Sequence, residues 1–279
     1  MRSTLNTLAN IAKIAGQRMI RKKGHETSNS EIYDQIAETY DHDYGHIFGR
    51  VKKEIRVQLS ELALKEPTII DVGTGTGENI LLAKKVFGSL GSVYGVDISE
   101  KMLAIAKEKH PDMHTVQASA LSLSSLIQAE ADLVFIHFLL SYVSADQLLP
   151  QVAARLKSGG YVSIASSLGS SWPRGQGIGK RLGMGPQSVV HYIPKNSAEL
   201  RSKIVKLGFK EVDSVEIRKR MIFENIHDVY RFGFEQGWVY QLFEFLGCAG
   251  QPEKFAREWG HAIPYDDELH IHIGLYRKL

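Results

Sequence analysis

Ile69-Ile70-Asp71-Val72-Gly73-Thr74-Gly75-Thr76-Gly77 is the stretch on which the fold turns. A short β-branched run ends in an acid, and glycines follow at alternate positions. Alternate glycines let a backbone turn sharply out of a strand and lie against a ligand with no Cβ in the way. Beyond them, residues 78–87 space Ile80, Leu81, Ala83, Val86 and Phe87 as a helix does. Strand, glycine loop and helix in that order are the layout of a nucleotide site at the carboxyl end of a parallel strand. An ordinary glycine turn of an α/β protein is the competing reading of the loop alone.

The loop departs from the dinucleotide fingerprint Gly-x-Gly-x-x-Gly, which wants glycine where this chain has Glu78. No Lys-Ser or Lys-Thr follows, so the phosphate-loop pattern fails as well. Asp71 and Glu78 would repel a pyrophosphate. An acid-flanked loop better suits a nucleoside with a positive group, and S-adenosylmethionine carries cationic amino and sulfonium centres. A second short strand, Val93-Tyr94-Gly95-Val96-Asp97, also ends in an acid. Asp97 lies about twenty residues past the loop, the distance at which such sites present a carboxylate to ribose hydroxyls. A carboxylate only accepts, so it takes both hydroxyl protons. Ser99 then caps a helix over 100–109 that turns Met102, Leu103, Ile105 and Ala106 inward.

With these two motifs the chain resembles the class I S-adenosylmethionine-dependent methyltransferases of small molecules, from about Ile32 to Phe209. Asp71 to Gly77 matches the family's first motif and Val93 to Ser99 its second. Weaker matches follow in order: Thr115 to Leu123, Asp132 to Phe138, and Leu148 to Ser166 with Leu156-Lys-Ser-Gly-Gly160 inside it. The resemblance implies a doubly wound, mostly parallel seven-stranded α/β sheet in the order 3-2-1-4-5-7-6, with strand 7 antiparallel. It implies S-adenosyl-L-methionine as cofactor, S-adenosyl-L-homocysteine as product, and a cofactor set of Asp71, Gly73, Thr74, Gly75, Gly77, Asp97, Ile98 and Met102. Where the family often places an acid for the adenine amino group, this chain has Ala118-Ser119-Ala120. The adenine role passes to Ser119 and Ala120, with a hydroxyl as a weaker acceptor.

His137 falls at the tip of the fourth strand, beside the order reversal where open α/β sheets bind ligands. Its intrinsic pKa suits a general base, and packing against the cofactor pocket is the competing role. Ile136-His137-Phe138-Leu139 replaces the Asn/Asp-Pro-Pro-Tyr/Phe element of DNA amine methyltransferases, which argues against nucleic acid. Upstream, a helix over 31–40 carries Tyr33 and Tyr40, expected with Tyr44 as a lid over the cofactor. A long helix is expected over 48–64. A mobile glycine-rich loop is expected over 169–185, and after it His191 and Tyr192 are candidate substrate-facing groups. His270 and His272 alternate in a late strand and so share a face. No third ligand stands at a sensible spacing, so no metal is expected.

Residues 224–266 separate the two strands of the edge hairpin, 211–223 and 268–276. They hold ten of the 25 aromatic residues, a density that walls an apolar or aromatic pocket or forms a satellite core or homodimer surface. Two or three short helices are expected there, as an insertion in a methyltransferase domain spanning 31–279. Residues 1–30 form a separate arm. Its first 24 residues hold six basic side chains and no acid, with Leu5, Leu8, Ile11, Ala12, Ala15 and Met19 on one helical stripe. Packing against the domain, contact with an anionic membrane surface and an organelle presequence all account for it.

The single cysteine, Cys248, excludes an internal disulfide and a cysteine zinc cage and fits a cytoplasmic chain. No apolar run approaches about eighteen residues, the length needed to span a bilayer. A net charge of +3 gives no nucleic-acid footprint over the whole surface. The expected activity is in-line methyl transfer to an O, N or C nucleophile of a small, apolar or aromatic acceptor. Two rivals remain: a non-catalytic protein of the same fold that binds or assembles, and a nicotinamide-dependent oxidoreductase.

Overall fold

A computed structural model describes residues 29–181 and 192–279. Residues 1–28 of the arm expected over 1–30, and His191, lie outside the described residues; Asn29 and Ser30 open the first described helix. Helix α1 (Asn29–Ile36) and α2 (Phe48–Ser60) lead into β1 (Ile69–Val72), α3 (Glu78–Phe87), β2 (Val93–Asp97), α4 (Glu100–Lys109) and β3 (His114–Gln117). After a 3₁₀ turn come α5 (Leu123–Leu126), β4 (Ala131–His137), α6 (Ala145–Ala153), β5 (Leu156–Ser167), α7 (Pro173–Arg181), α8 (Ser197–Lys206) and β6 (Phe209–Phe223). Helices α9 (Ile226–Tyr230), α10 (Tyr240–Leu246) and α11 (Pro252–Trp259) then precede β7 (Tyr265–Lys278).

The described strands form one seven-stranded sheet in the order β3-β2-β1-β4-β5-β7-β6. β1 lies between β2 and β4, with Ile70 opposite both Tyr94 and Val134, and is parallel to each. β7 runs antiparallel to β5 and β6. All four residues of β1 are buried, as a strand covered on both faces must be. Alternation along the strands feeds two cores. Ile69, Leu133 and Phe135 pack with α2 and α3 on one face. Ile70, Val134 and Ile136 pack with α6 and α8 on the other. The carboxyl ends of β1 and β4 thus stand side by side at the order reversal.

A third cluster lies off the sheet. Ile32 and Ile36 of α1 pack with Met102 of α4 and with Tyr230, Phe234, Phe243 and Phe255, which come from the helices between β6 and β7. Those aromatic rings interlock edge to face and offset-stacked, for example Tyr230 with Phe243 at 5.2 Å and Tyr230 with Phe234 at 5.0 Å.

Some boundaries differ from expectation. The first helix ends at Ile36, where the Thr39 amide and hydroxyl both bond the Ile36 carbonyl and close the turn. α2 stops four residues early, at Ser60. The edge hairpin is longer than its apolar alternation suggested, pairing Phe223 with Tyr265. The largest correction concerns 169–185, expected as a loop. Residues 173–181 are helical. Pro173 occupies the first position, where its missing N–H costs nothing. The cap comes from β7: the buried Asp267 carboxylate accepts from Arg174 N at 3.1 Å and Gly175 N at 2.7 Å. A partner so distant in sequence leaves no local signal.

Candidate functional site

The glycine loop leaves β1 with Gly73, Gly75 and Gly77 all at positive φ, a conformation that costs L-residues with a Cβ roughly 1–2 kcal/mol each. A Cβ on Gly77 would also lie 2.8 Å from the His110 ring. Asp71 is fully buried beneath the loop. Its oxygens accept from Thr74 Oγ1 at 2.8 Å and Asn79 Nδ2 at 2.9 Å. Asp97 reaches over from β2, its Oδ2 accepting from Gly75 N at 2.9 Å and its Oδ1 from Ser99 N at 3.0 Å. Ser99 caps α4 through Met102 N. Each Asp97 oxygen thus holds one backbone N–H and keeps a second acceptor position.

A cavity of about 310 Å³ opens over this loop. Of the expected cofactor residues, Gly73, Gly75, Asp97, Ile98, Met102, Ser119 and Ala120 line it. So do Tyr33, Tyr40, Tyr192 and His137. Asp71, Thr74 and Gly77 are not among its lining residues; they shape the loop from below. Ser119 Oγ accepts from Leu121 N at 3.3 Å and caps the 3₁₀ turn. Sequence reasoning missed Leu139, Tyr142 and Gln147, which follow β4 and line the same cavity. Their one signal was position, just past the carboxyl end of a central strand.

Glu78 does not line this cavity. It meets Lys52 at 2.7 Å and Lys109 at 2.8 Å. Burial opposes its charge, but hydrogen bonds from Lys109 and Lys52 outweigh burial and hold its carboxyl down at about 2. The repulsion assigned to Glu78 in the sequence is therefore neutralised locally.

His137 ends β4, with Nδ1 2.7 Å from Asn79 Oδ1 and Nε2 3.0 Å from Ser163 Oγ. Burial pushes the ring down to about 3. With both nitrogens engaged, this histidine links β4, β5 and α3. Asn79 carries the link on to Asp71.

Burial raises Asp71 from 3.8 to about 6 against the Asn79 and Thr74 hydrogen bonds. The folded chain keeps this proton at pH values where the unfolded chain has released it, so its contribution to stability falls as pH rises from about 4 to about 6. At 1.36 kcal/mol per unit the swing is about 3 kcal/mol. Asp71→Asn abolishes it. In urea titrations the variant should gain on the wild type by about that amount between about pH 4 and pH 6.5. A difference that does not move with pH would rule out the buried proton.

A second cavity, of about 320 Å³, adjoins the first. Both share Tyr33, Tyr40, Phe138 and Tyr142 as walls. Tyr33 sits edge-on to Tyr40 at 6.0 Å and to Tyr142 at 5.7 Å. Burial raises the Tyr33 and Tyr40 hydroxyls well above the usual phenol range, so both stay neutral. The far wall includes Trp172, Gln236 and Trp238. Trp238 stacks on Phe232 at 5.4 Å and on Phe48 at 5.6 Å. Among the described lining residues, Lys180 is the one formal charge, and none carries a carboxylate or imidazole.

α1 and the turn that follows it join these parts. Asp34 Oδ1 accepts from Ser99 Oγ at 2.5 Å, and Thr76 Oγ1 in the glycine loop donates to Asp41 Oδ1 at 2.6 Å. On the other side Thr39 Oγ1 donates to Glu235 O at 2.9 Å and Tyr240 OH to Gln35 Oε1 at 3.0 Å. The late histidines are engaged elsewhere. His270 lies between Ser170 Oγ at 2.6 Å and Glu216 Oε2 at 2.8 Å, and His272 Nε2 meets Tyr276 OH at 2.8 Å. Among the described residues, no group of three or more His, Cys, Asp or Glu could hold a metal. No described helix is long and apolar enough to cross a membrane.

A family model described as a methyltransferase domain matches residues 69–160. Demethylmenaquinone methyltransferase of Chlorobaculum tepidum is 33% identical over 118 residues, covering 39% of this chain and 46% of that protein. The ubiquinone/menaquinone biosynthesis C-methyltransferase UbiE of Campylobacter jejuni is 29% identical over 143 residues, covering 48% and 61%. The chain therefore spans less than two thirds of the length of these curated relatives. Among solved structures, magnesium protoporphyrin IX methyltransferase of Synechocystis, with S-adenosylhomocysteine bound, aligns at a TM-score of 0.53 and 14% identity over 96% of each chain. Phosphoethanolamine N-methyltransferase 2 of Haemonchus contortus, in complex with S-adenosylmethionine, aligns at a TM-score of 0.54 and 20% identity, over 92% of this chain and 61% of that one. At such identities the structural likeness shows the fold.

Proposed function

We propose that this chain, which carries a methyltransferase domain on the class I methyltransferase fold, is an S-adenosylmethionine-dependent methyltransferase of small, apolar or aromatic acceptors. The observation that carries this reading is the pair of adjoining cavities. One is built on the Gly73–Gly77 loop and Asp97; the other is lined mainly by aromatic and apolar side chains; four rings divide them.

The donor fits the first cavity by its chemistry. Asp97 would take the ribose hydroxyls at its remaining acceptor positions. Gly73 and Gly75 present bare backbone, and Ser119 and Ala120 stand at the opposite end for the base. S-adenosylmethionine supplies an electrophilic methyl on a cationic sulfur. The neutral tyrosines at the seam orient the acceptor and keep water away. Displacement at that methyl disperses charge, so a dry, preorganised pocket favours it, and well-aligned reactants reach effective molarities of about 10⁵ M and above. The quinone acceptors in the relatives' names are of the conjugated, largely apolar class this wall suits.

His137 serves in this reading as a positioning residue. His137→Asn should weaken binding of S-adenosylhomocysteine severalfold by loosening Asn79 and the loop, while leaving the shape of the rate–pH profile between about pH 6 and pH 9 unchanged. Loss of an ionisation near neutrality in the variant would restore the general-base role. The whole proposal is tested by calorimetric titration with S-adenosylmethionine, S-adenosylhomocysteine and NADH, followed by transfer of a labelled methyl to a panel of phenols, naphthols and quinols. Binding of the first two without NADH, and labelling of at least one acceptor, is expected. Tight binding with no labelled product would leave a donor-binding protein instead.

A further inference from the structure

The acceptor cavity is mostly apolar, yet two of its lining residues carry buried polar atoms that the folded chain does not satisfy. Gln236 is 2% exposed, and neither its amide oxygen nor its amide nitrogen has a hydrogen-bond partner. The indole N–H of Trp238, two residues on, is buried and unpartnered as well. Both residues line the cavity. Burying a polar group unpaired lowers stability, whereas an apolar side chain of the same shape does not.

The backbone fixes this pair in place. Residues Arg231–Glu235 form a π-helical turn, and Gln236 N donates to Arg231 O at 3.0 Å, five residues back. Such turns are rare and occur mostly at functional sites. Gly237 follows at positive φ, so the chain reverses between the two side chains. Trp238 is held by rings on both sides, Phe232 and Phe48. This wall is therefore rigid at Trp238, and the Gln236 amide carries both a donor and an acceptor.

We infer that Gln236, with Trp238 beside it, is the specificity-determining polar contact for the acceptor, and that the acceptor is an uncharged planar ring bearing an oxygen. This rests on the methyltransferase reading for the identity of the cavity, not for its chemistry. The aromatic walls take the ring; the buried amide, turned into the cavity by a rotamer change, donates to a carbonyl or accepts from a hydroxyl, and a small tilt of the indole offers its N–H as a second donor. A ring without the oxygen leaves the three polar atoms unpaired and so binds less well.

The matched probes are 2-naphthol and naphthalene, titrated by fluorescence with and without saturating S-adenosylhomocysteine. The wild type should prefer 2-naphthol by about five- to thirtyfold. Gln236→Met should erase most of that preference by weakening 2-naphthol, with naphthalene within about twofold of the wild type. Trp238→Phe should reduce it by about threefold. Without ligand, Gln236→Met should melt no lower than the wild type. Absence of a preference in the wild type, its survival in Gln236→Met, an equal loss for both probes, or a lower melting temperature of the ligand-free variant would each overturn the inference. If S-adenosylhomocysteine does not bind, the donor assignment fails, while the naphthol comparison still decides the role of Gln236.

Discussion

Asp97→Ala should weaken S-adenosylhomocysteine binding by two to three orders of magnitude while costing the ligand-free protein little. The asymmetry follows from what Asp97 does in each state. Without ligand its carboxylate accepts from Gly75 N and Ser99 N, but burial raises its pKa and makes its charge expensive. Removing it loses two backbone contacts and relieves that cost. With ligand, two ribose hydroxyls lose a charged acceptor and the glycine loop loses its tie to β2. Hydrogen bonds to charged groups contribute about 1.5–3 kcal/mol each, so a loss of about 3–4 kcal/mol is expected. Calorimetry gives the affinity and thermal unfolding the stability. A variant that binds within tenfold of the wild type would remove Asp97 from the ribose role.

The second large effect is separable from the first. Phe243 has no exposed surface and meets Phe255 at 4.8 Å, Tyr230 at 5.2 Å and Phe234 at 6.0 Å. Phe243→Ala should cost about 3–5 kcal/mol, the usual range for emptying an aromatic site in a core. The loss should be felt locally, because this cluster lies off the sheet and is shared mainly with α1 and with Met102 and Ile105 of α4. Hydrogen exchange should accelerate across 226–262 and in α1 while β1, β4 and β5 stay protected. Methyl transfer should fall with the acceptor wall, and S-adenosylhomocysteine affinity should drop less than tenfold. Uniform loss of protection over the whole chain would instead make the helices part of one cooperative unit with the sheet.

The sheet was legible because its signals are local and redundant. A β-branched run, an acid and alternate glycines occur together at 69–77, and the same strand-then-acid pattern recurs at 93–97. Helices α3 and α4 have the expected bounds because Gly77 and Ser99 mark their starts. Helix α7 was not legible, since its cap is Asp267 on the last strand. Glu78 was misread for a similar reason: Lys52 and Lys109 neutralise it from two other helices. The lining of the first cavity could be read where a motif residue faces it directly, as at Asp97, but not where a residue supports others from below. Asp71 and His137 are of that second kind. Their oxygens and nitrogens are taken up by Thr74, Asn79 and Ser163, contacts that only the folded chain brings together. The aromatic segment announced itself by density alone. Its division into a satellite core and a cavity wall depends on which rings face α1 and which face Tyr142.

The tethers on α1 and the turn after it carry a thermodynamic consequence. Ser99 and Thr76 hold one side of this segment to the donor loop, while Glu235 and Tyr240 hold the other to the helices over the acceptor. A displacement of this segment toward one cavity would strain bonds on the side of the other. Linkage of this kind would be reciprocal: any factor by which a ligand in the first cavity tightens binding in the second would equal the factor by which the second tightens the first.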